Sequence, residues 1–495
     1  AYTAPALFNT YEVKSMVSSN LSPKDSVPVS AAVGGGTTDG LPRQAIALIS
    51  DHGDPAREIG KDEVDGQTVY VRRVGEALAK LGWQVDIFTR KVNPDDPAIV
   101  ELSPHCRTIR LVAGPQAFLA RDQVFSHMPE FVAAFQKFQS KEGTNYPLVH
   151  TNHWMSAWVG MQLRQQHNIQ LVHTYHSLGA EKYQSMVLRP ALAETRLAVE
   201  TQILETATCV VATSPQEETT LRELVSTAGT IEVIPCGTDT ETFHTIPKAE
   251  ARATLGLAQD EAILLYVGHF DHQKGLETLV QACVRLQAGV EPQTVALESA
   301  TAAYSLNPAK LRLVIVGGQD SDHADDSERQ RIEGLIGELG LAAQTTFVGQ
   351  VSQSTLPLYY TAADVCVIPS HYEPFGMVAL EAMACGTPVV ASAVGGLKFT
   401  VIPEETGLLV PPQDVEAFAQ AIARVLSDEL WARKLARQAP IRVQQNFSWT
   451  GVAAQLSNLY RRLLAQSISH DGLIDTGFER AVPVAPVAPL TIAAS

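Results

Sequence analysis

"DVCVIPSHYEPFGMVALEAMACGTPVVAS", residues 364–392, packs a strand, a loop, a helix and a second strand into one short stretch. "DVCVIPS" is an apolar run ending at Ser370, and "HYEPFG" is a loop at its carboxyl end. A helical pattern starts near Gly376–Met377 and runs to Cys385, where Gly386 and Pro388 stop it before "VVAS". Neither strand run alternates with polar residues, so both are strands covered on two faces, as in a parallel sheet. Two acids sit in this apolar setting. Glu373 falls in the loop and Glu381 more than one turn into the helix. Between them a helix start offers free backbone N–H groups and a partial positive charge, an anion site that Gly376 lets a ligand approach closely. Ion-paired structural acids are the plain alternative. A ligand carrying a diphosphate flanked by two sets of hydroxyls accounts for both carboxylates at once.

The same strand–loop–helix plan recurs outward in both directions. "QAIALIS" (44–50), "QVDIFTR" (84–90), "TIRLVAG" (108–114), "PLVHTNH" (147–153), "QLVHTYHS" (170–177) and "CVVATSP" (209–215) form one series, closed by "IEVIPCGTDTETF" (231–243). "AILLYVGHF" (262–270), "LRLVIVGGQ" (311–319), "TTFVGQV" (345–351) and "TGLLVPP" (406–412) join the opening stretch in a second. Alternation of this kind specifies an α/β protein of two Rossmann-like, doubly wound domains. Ligands of such sheets bind at the carboxyl ends of the strands, so two facing units define an interdomain cleft. The organisation read from the chain is a disordered tail over 1–42, domains over 43–238 and 239–446, a helix over 447–466 that crosses back to the first domain, and a tail over 467–495.

Composition narrows the functional classes. The 53 acids against 37 bases give a net charge of −16, which disfavours nucleic acid and anionic membranes as partners. The six cysteines form no C-x-x-C pair and read as buried free thiols. With no signal peptide and no apolar run able to span a bilayer, the chain reads as cytoplasmic.

The motif "EPFGMVALE" before "AMACGTPVVAS" resembles the donor site of retaining GT-B glycosyltransferases of family 4. "DGQTVYVRRVGEALAKLGWQVDIFTR" (65–90), "HTYHSLGAEK" (173–182), "IPCGTD" (234–239) and "VGHFDHQKG" (267–275) extend the resemblance over roughly 44–465. The first two are most similar to sucrose-phosphate synthases, whereas "HTNHWMSAWVG" (150–160) is nearer to enzymes that glucosylate inositol phosphates. The resemblance implies that the first domain binds an acceptor and the second a nucleotide sugar. UDP-glucose is the expected donor and ADP-glucose the alternative. The expected acceptor is fructose 6-phosphate, giving sucrose 6-phosphate. No cofactor is obligatory, Mg²⁺ is not required for binding, and a sucrose-phosphate phosphatase is the expected downstream partner.

The same resemblance assigns roles. His176, Lys274 and Glu373 form the catalytic set. Lys274 bears on the diphosphate, His176 lies close to the reacting carbon, and Glu373 orients the sugar hydroxyls. His269, Phe375, Gly376, Met377, Val378 and Glu381 complete the donor site, with Glu381 on the ribose. Asp65, Gly66, Gln67, Trp154, Ser177, Lys182 and Arg196 make the acceptor site, with Lys182 and Arg196 on its phosphate. Each has a plainer reading: Lys274 as a surface lysine, Trp154 as core, and Arg196 as an i,i+4 partner of Glu200. His173 reads as a packed core histidine. Two positions depart from the family pattern, Asp65 where Gly is usual and His269 where Arg is usual. They motivate a rival reading as a weakly active, sugar-phosphate-binding paralogue, beside an enzyme for another phosphorylated acceptor such as inositol phosphate. Neither His173 with His176 nor His269 with His272 has a third ligand at suggestive spacing, so no metal is expected. The implied chemistry is front-face displacement, the leaving phosphate taking the proton of the attacking hydroxyl.

Overall fold

The computed structural model describes residues 43–57, 66–183, 189–289, 310–318 and 323–471. The tail over 1–42, residues 472–495 of the tail expected over 467–495, and Asp65 lie outside these residues, while 467–471 belong to the last helix rather than to a tail. Continuous apolar runs become two sheets. The first holds β1 (Ala45–Ser50), β2 (Gln84–Arg90), β3 (Ile99–Ser103), β4 (Cys106–Leu111), β5 (Leu148–Asn152), β6 (Gln170–Thr174), β7 (Cys209–Ala212) and β8 (Ile231–Val233). Their order is β3-β4-β2-β1-β5-β6-β7-β8. The second holds β9 (Ala262–Val267), β10 (Leu311–Val316), β11 (Thr345–Gly349), β12 (Val365–Ile368), β13 (Val389–Ser392) and β14 (Gly407–Val410), in the order β11-β10-β9-β12-β13-β14. All pairings are parallel except β3 with β4. Among the described residues the antiparallel edge strand β3 is the one strand that the sequence reading did not anticipate. None of its residues is fully buried, and Ile99 and Glu101 are exposed, as expected of an edge.

In each sheet the strand order reverses beside the first strand, β1 or β9. Side chains at these reversal points open onto a crevice, which places the carboxyl-end loops of β1, β5, β9 and β12 where a ligand can lie. All six cysteines are free and buried within these layers. No helix among the described residues is long and apolar enough to cross a membrane.

The last helix, Trp449–Asp471, packs on the Gly66–Lys80 helix and on β6 of the first sheet. The two chain crossings meet where Thr238 N donates to Phe447 O at 2.7 Å. Leu456, Leu459 and Leu463 of the helix are buried in a core cluster that includes residues of both sheets. Polar stitches fix its register: Trp83 Nε1 donates to Ser457 Oγ at 2.9 Å, and the Tyr460 hydroxyl lies 2.5 Å from His150 Nδ1. His150 Nε2 meets Thr174 Oγ1 at 2.9 Å, and burial pushes the imidazole down to about 3, so it stays neutral. Tyr460→Phe strands a buried ring nitrogen and is expected to cost about 1–3 kcal/mol, read as a lower urea midpoint with an unchanged slope.

Candidate active site

A cavity of about 440 Å³ opens between the sheets and is lined from both. On the second-sheet side the loop after β9 tightens into a single turn over His272–Lys274. Asp271 caps it by accepting from Gln273 N at 2.8 Å. Gly275 follows at φ 67°, and a Cβ there would stand 2.0 Å from Pro369 O, so the β9 and β12 loops touch only because that residue is glycine. The turn aims Lys274 Nζ at Glu373 Oε2, 2.9 Å away, where Ser370 Oγ also donates at 3.2 Å. Burial opposes the lysine's charge, yet the adjoining carboxylate holds its pKa above the ordinary value.

The helix expected after this loop spans Met377–Ala384. Gly376 precedes it at φ 87°, no side chain caps its first turn, and a Cβ on Gly376 would meet Leu397 Cδ2 at 2.6 Å. Bare amides at Met377 and Val378 therefore face the cavity, which both residues line. Opposite them begins the Gly66–Lys80 helix, with Met377 Cε 2.9 Å from where a Cβ on Gly66 would be. The helix start at Met377 thus favours anionic ligand groups in this space. Farther along the wall, Tyr360 donates its hydroxyl to Glu381 Oε2 at 2.8 Å. Burial pushes the Glu381 carboxyl up to about 7, the Tyr360 bond pulling the other way.

The first-sheet side is built differently. His176 lies past β6 at φ 59°, with Nε2 2.9 Å from Asn152 Oδ1 and its ring edge-on to Tyr70 at 4.8 Å. Ser177 follows, and its backbone oxygen and hydroxyl both accept from Arg196 Nη2 at 2.8 and 3.0 Å. Arg196 Nε also donates to Glu200 Oε1 at 2.7 Å, and both Glu200 oxygens accept from Gly179 N. The i,i+4 pair and a tie to the 177–179 loop coexist in one network. From the other sheet, Tyr372 Oη accepts from Leu178 N at 3.4 Å, bridging the cleft.

The structure brings Gly66, Gln67, His176, Ser177, His269, Lys274, Glu373, Phe375, Gly376, Met377, Val378 and Glu381 to one cavity. It does not place Trp154, Lys182 or Arg196 on that lining. Trp154 is buried against Phe125, ring centres 4.8 Å apart, while its neighbour His153 lines the cavity instead. Lys182 sits on the short Gly179–Lys182 helix, and Arg196 is buried behind Ser177. His173 is fully buried against Tyr175, as a core histidine. The sequence reading missed His52, Tyr360 and Tyr372. His52 was signalled by its position just past the carboxyl end of β1, but the two tyrosines depend on non-local contacts.

Residues 247–442 match the family described as glycosyl transferases group 1, and residues 65–237 match the glycosyl transferase 4-like domain. The D-inositol 3-phosphate glycosyltransferase of Corynebacterium urealyticum is 34% identical over 84% of this chain and 95% of its own. That of Kineococcus radiotolerans is 32% identical over 87% and 98%. Among solved structures, sucrose-phosphate synthase from Thermosynechococcus elongatus is 54% identical with a TM-score of 0.76, covering 86% of this chain and 100% of that one. Anabaena HepE in complex with UDP and glucose shares the fold at 19% identity and a TM-score of 0.64, over 84% of this chain and 99% of that one.

The raised Glu381 carboxyl makes a signed prediction. Below about 4.5 it is protonated in both folded and unfolded chains. Between there and about 7 the unfolded chain loses the proton first, so stability falls as pH rises and the loss is complete above that window. Glu381→Gln is therefore expected to raise the thermal midpoint by a few degrees at about pH 8 and to leave it unchanged at about pH 4.5, by scanning calorimetry. With both of its halves matched and relatives above 30% identity spanning nearly their whole lengths, the chain belongs to the group 1 glycosyltransferases, enzymes of family 4 with the GT-B fold.

Proposed function

We propose that the enzyme moves glucose from UDP-glucose to fructose 6-phosphate with retention of configuration, releasing sucrose 6-phosphate and UDP. The observation that carries this reading is the 54% identity to a sucrose-phosphate synthase whose whole length the chain covers. The cleft is compatible with it. Lys274, paired with Glu373 beside the bare helix start at Met377, is placed to take a diphosphate. Glu373 then accepts from glucose hydroxyls and Glu381 from ribose hydroxyls. In this reading residues 43–238 hold the acceptor, residues 239–446 the donor, and the returning helix over 447–466 is the hinge.

The step balances without a protein nucleophile. The acceptor hydroxyl oxygen bonds to the anomeric carbon on the face that UDP leaves, and the carbon–oxygen bond to the β-phosphate breaks. The departing phosphate oxygen keeps that electron pair and takes the hydroxyl proton. Amides of Met377 and Val378, with Lys274, stabilise the charge that collects there, and His269 adds one imidazole where a guanidinium fork would supply two donors. Arg196 acts on the acceptor through Ser177, whose backbone and hydroxyl it fixes.

The inositol-phosphate reading stays in play because of the relatives at 32–34% identity that carry that name. Purified enzyme with UDP-glucose, offered both acceptors in parallel, is expected to give sucrose 6-phosphate by mass spectrometry. Product from inositol phosphate alone sinks the reading. Lys274→Ala is expected to lower kcat by about 10²–10³-fold. Arg196→Lys keeps the charge but loses the fork, so the acceptor KM should rise severalfold with UDP affinity unchanged. His269→Arg separates a full enzyme from a weakened one: a turnover gain of tenfold or more would identify a weakened site.

A further inference from the structure

Asp51 and His52 follow β1, and His153 follows its sheet neighbour β5. One carboxylate oxygen and one imidazole nitrogen from each histidine lie within 4.8 Å of one another. His52 Nδ1 is 2.8 Å from Asp51 Oδ2, and the two imidazoles meet edge-to-face with centres 4.5 Å apart. Both histidines line the cavity, on the first-sheet side away from Lys274 and Glu373, and the proposed transfer chemistry assigns this trio no step.

Three independent features set this cluster apart from a chance meeting of side chains. Asp51 is fully buried, and its one ion pair among the described residues is with His52. Arg90 feels its charge but spends its guanidinium on the carbonyls of Pro115 and Ala117, at 2.7 and 2.8 Å. The carboxylate thus meets one imidazole and one hydroxyl, and no guanidinium or ammonium contacts it among the described residues. Second, Ser156 holds Asp51 from behind, donating to Oδ1 while accepting from Asp51 N at 3.0 Å, as outer-shell groups orient a ligating carboxylate. Third, His153 adopts φ 74° and ψ 158°, a region that is almost glycine's alone and costs about 1–3 kcal/mol. Hydrogen bonds from His153 N to Thr174 O and from Ala157 N to His153 O, both 3.0 Å, keep it there. The result is an imidazole held on the cavity wall beside His52.

We propose that Asp51, His52 and His153 form a binding site for one divalent transition cation on the acceptor wall of the cleft. Two imidazoles and a carboxylate suit zinc, cobalt or nickel over magnesium or calcium. Tetrahedral bonds of about 2.0–2.1 Å set ligand atoms about 3.3 Å apart, close to the 4.8 Å within which the three atoms already lie. A three-residue set leaves one position of a four-coordinate ion to water or an oxyanion. The site does not depend on which acceptor is used.

The test uses the full chain, stripped with chelator, freed of any affinity tag and titrated with Co²⁺ alone in a non-coordinating buffer. One saturable equivalent with visible d–d absorption is expected. His52→Ala, a partly exposed position that should fold normally, and Asp51→Asn should each weaken binding at least tenfold. His272→Ala, which breaks the ring pair with His371, should leave it unchanged. Absence of a one-equivalent site, undiminished binding in His52→Ala, or loss in His272→Ala would each overturn the assignment. Because no substrate is present, a failed acceptor assignment would leave this result standing.

Discussion

The contact between Lys274 and Glu373 joins loops from adjacent strands β9 and β12 across 99 residues of sequence. A part-buried cation and carboxylate each raise the free energy of the site unless the other is present, so the pair fixes both loops at once. Everything around it is shaped to allow the meeting. Gly275 lets the lysine turn press on Pro369, Ser370 steadies the carboxylate, and Gly376 turns the chain into a helix whose first amides stay bare. In the proposed reaction the donor exchanges partners instead of adding charge to an empty hole. Its diphosphate takes the lysine, and its hydroxyls take the carboxylate. A cleft that is neutralised before its substrate arrives keeps its geometry while it waits, which is the condition for electrostatic preorganisation.

What the sequence made legible follows a physical line. Strands buried on both faces write themselves as continuous apolar runs, and a Gly or Pro marks where each helix stops. The two-sheet plan and the Met377–Ala384 helix were therefore readable. The edge strand β3 was not, because a half-exposed antiparallel strand carries neither signature. The same division holds in the site. Glu373, Gly376 and Glu381 belong to one strand–loop–helix unit and could be placed from local grammar. Arg196 was legible only by half: spacing gave Glu200, but the tie to Ser177 is a tertiary contact. Trp154 shows the limit of motif reading. His153 stands just before a helix and Trp154 is its first residue, so a small turn of the backbone sends one into the cleft and the other into the core.

The two walls of the cleft are made of different material, and this bears on specificity. The second-sheet wall relies on backbone: Gly317 at φ 116° lets the ends of β9 and β10 close to where a Cβ would stand 2.3 Å from Gly268 O, and bare helix amides face inward. Backbone donors recognise what all nucleotide diphosphates share, and they cannot be exchanged without breaking the fold. The first-sheet wall relies on side chains held in place by other side chains, with Gln67, His52, His153 and His176 on the lining and Asn152, Ser156 and Arg196 behind them. Side chains can be replaced one at a time at modest cost, so a scaffold of this construction can keep one donor chemistry while its acceptor changes. That asymmetry explains why residues 364–392 point to the family at once, whereas in the proposed reaction the choice between a sugar phosphate and an inositol phosphate rests on a handful of polar groups that follow three strands, β1, β5 and β6, or sit on the helices beside them.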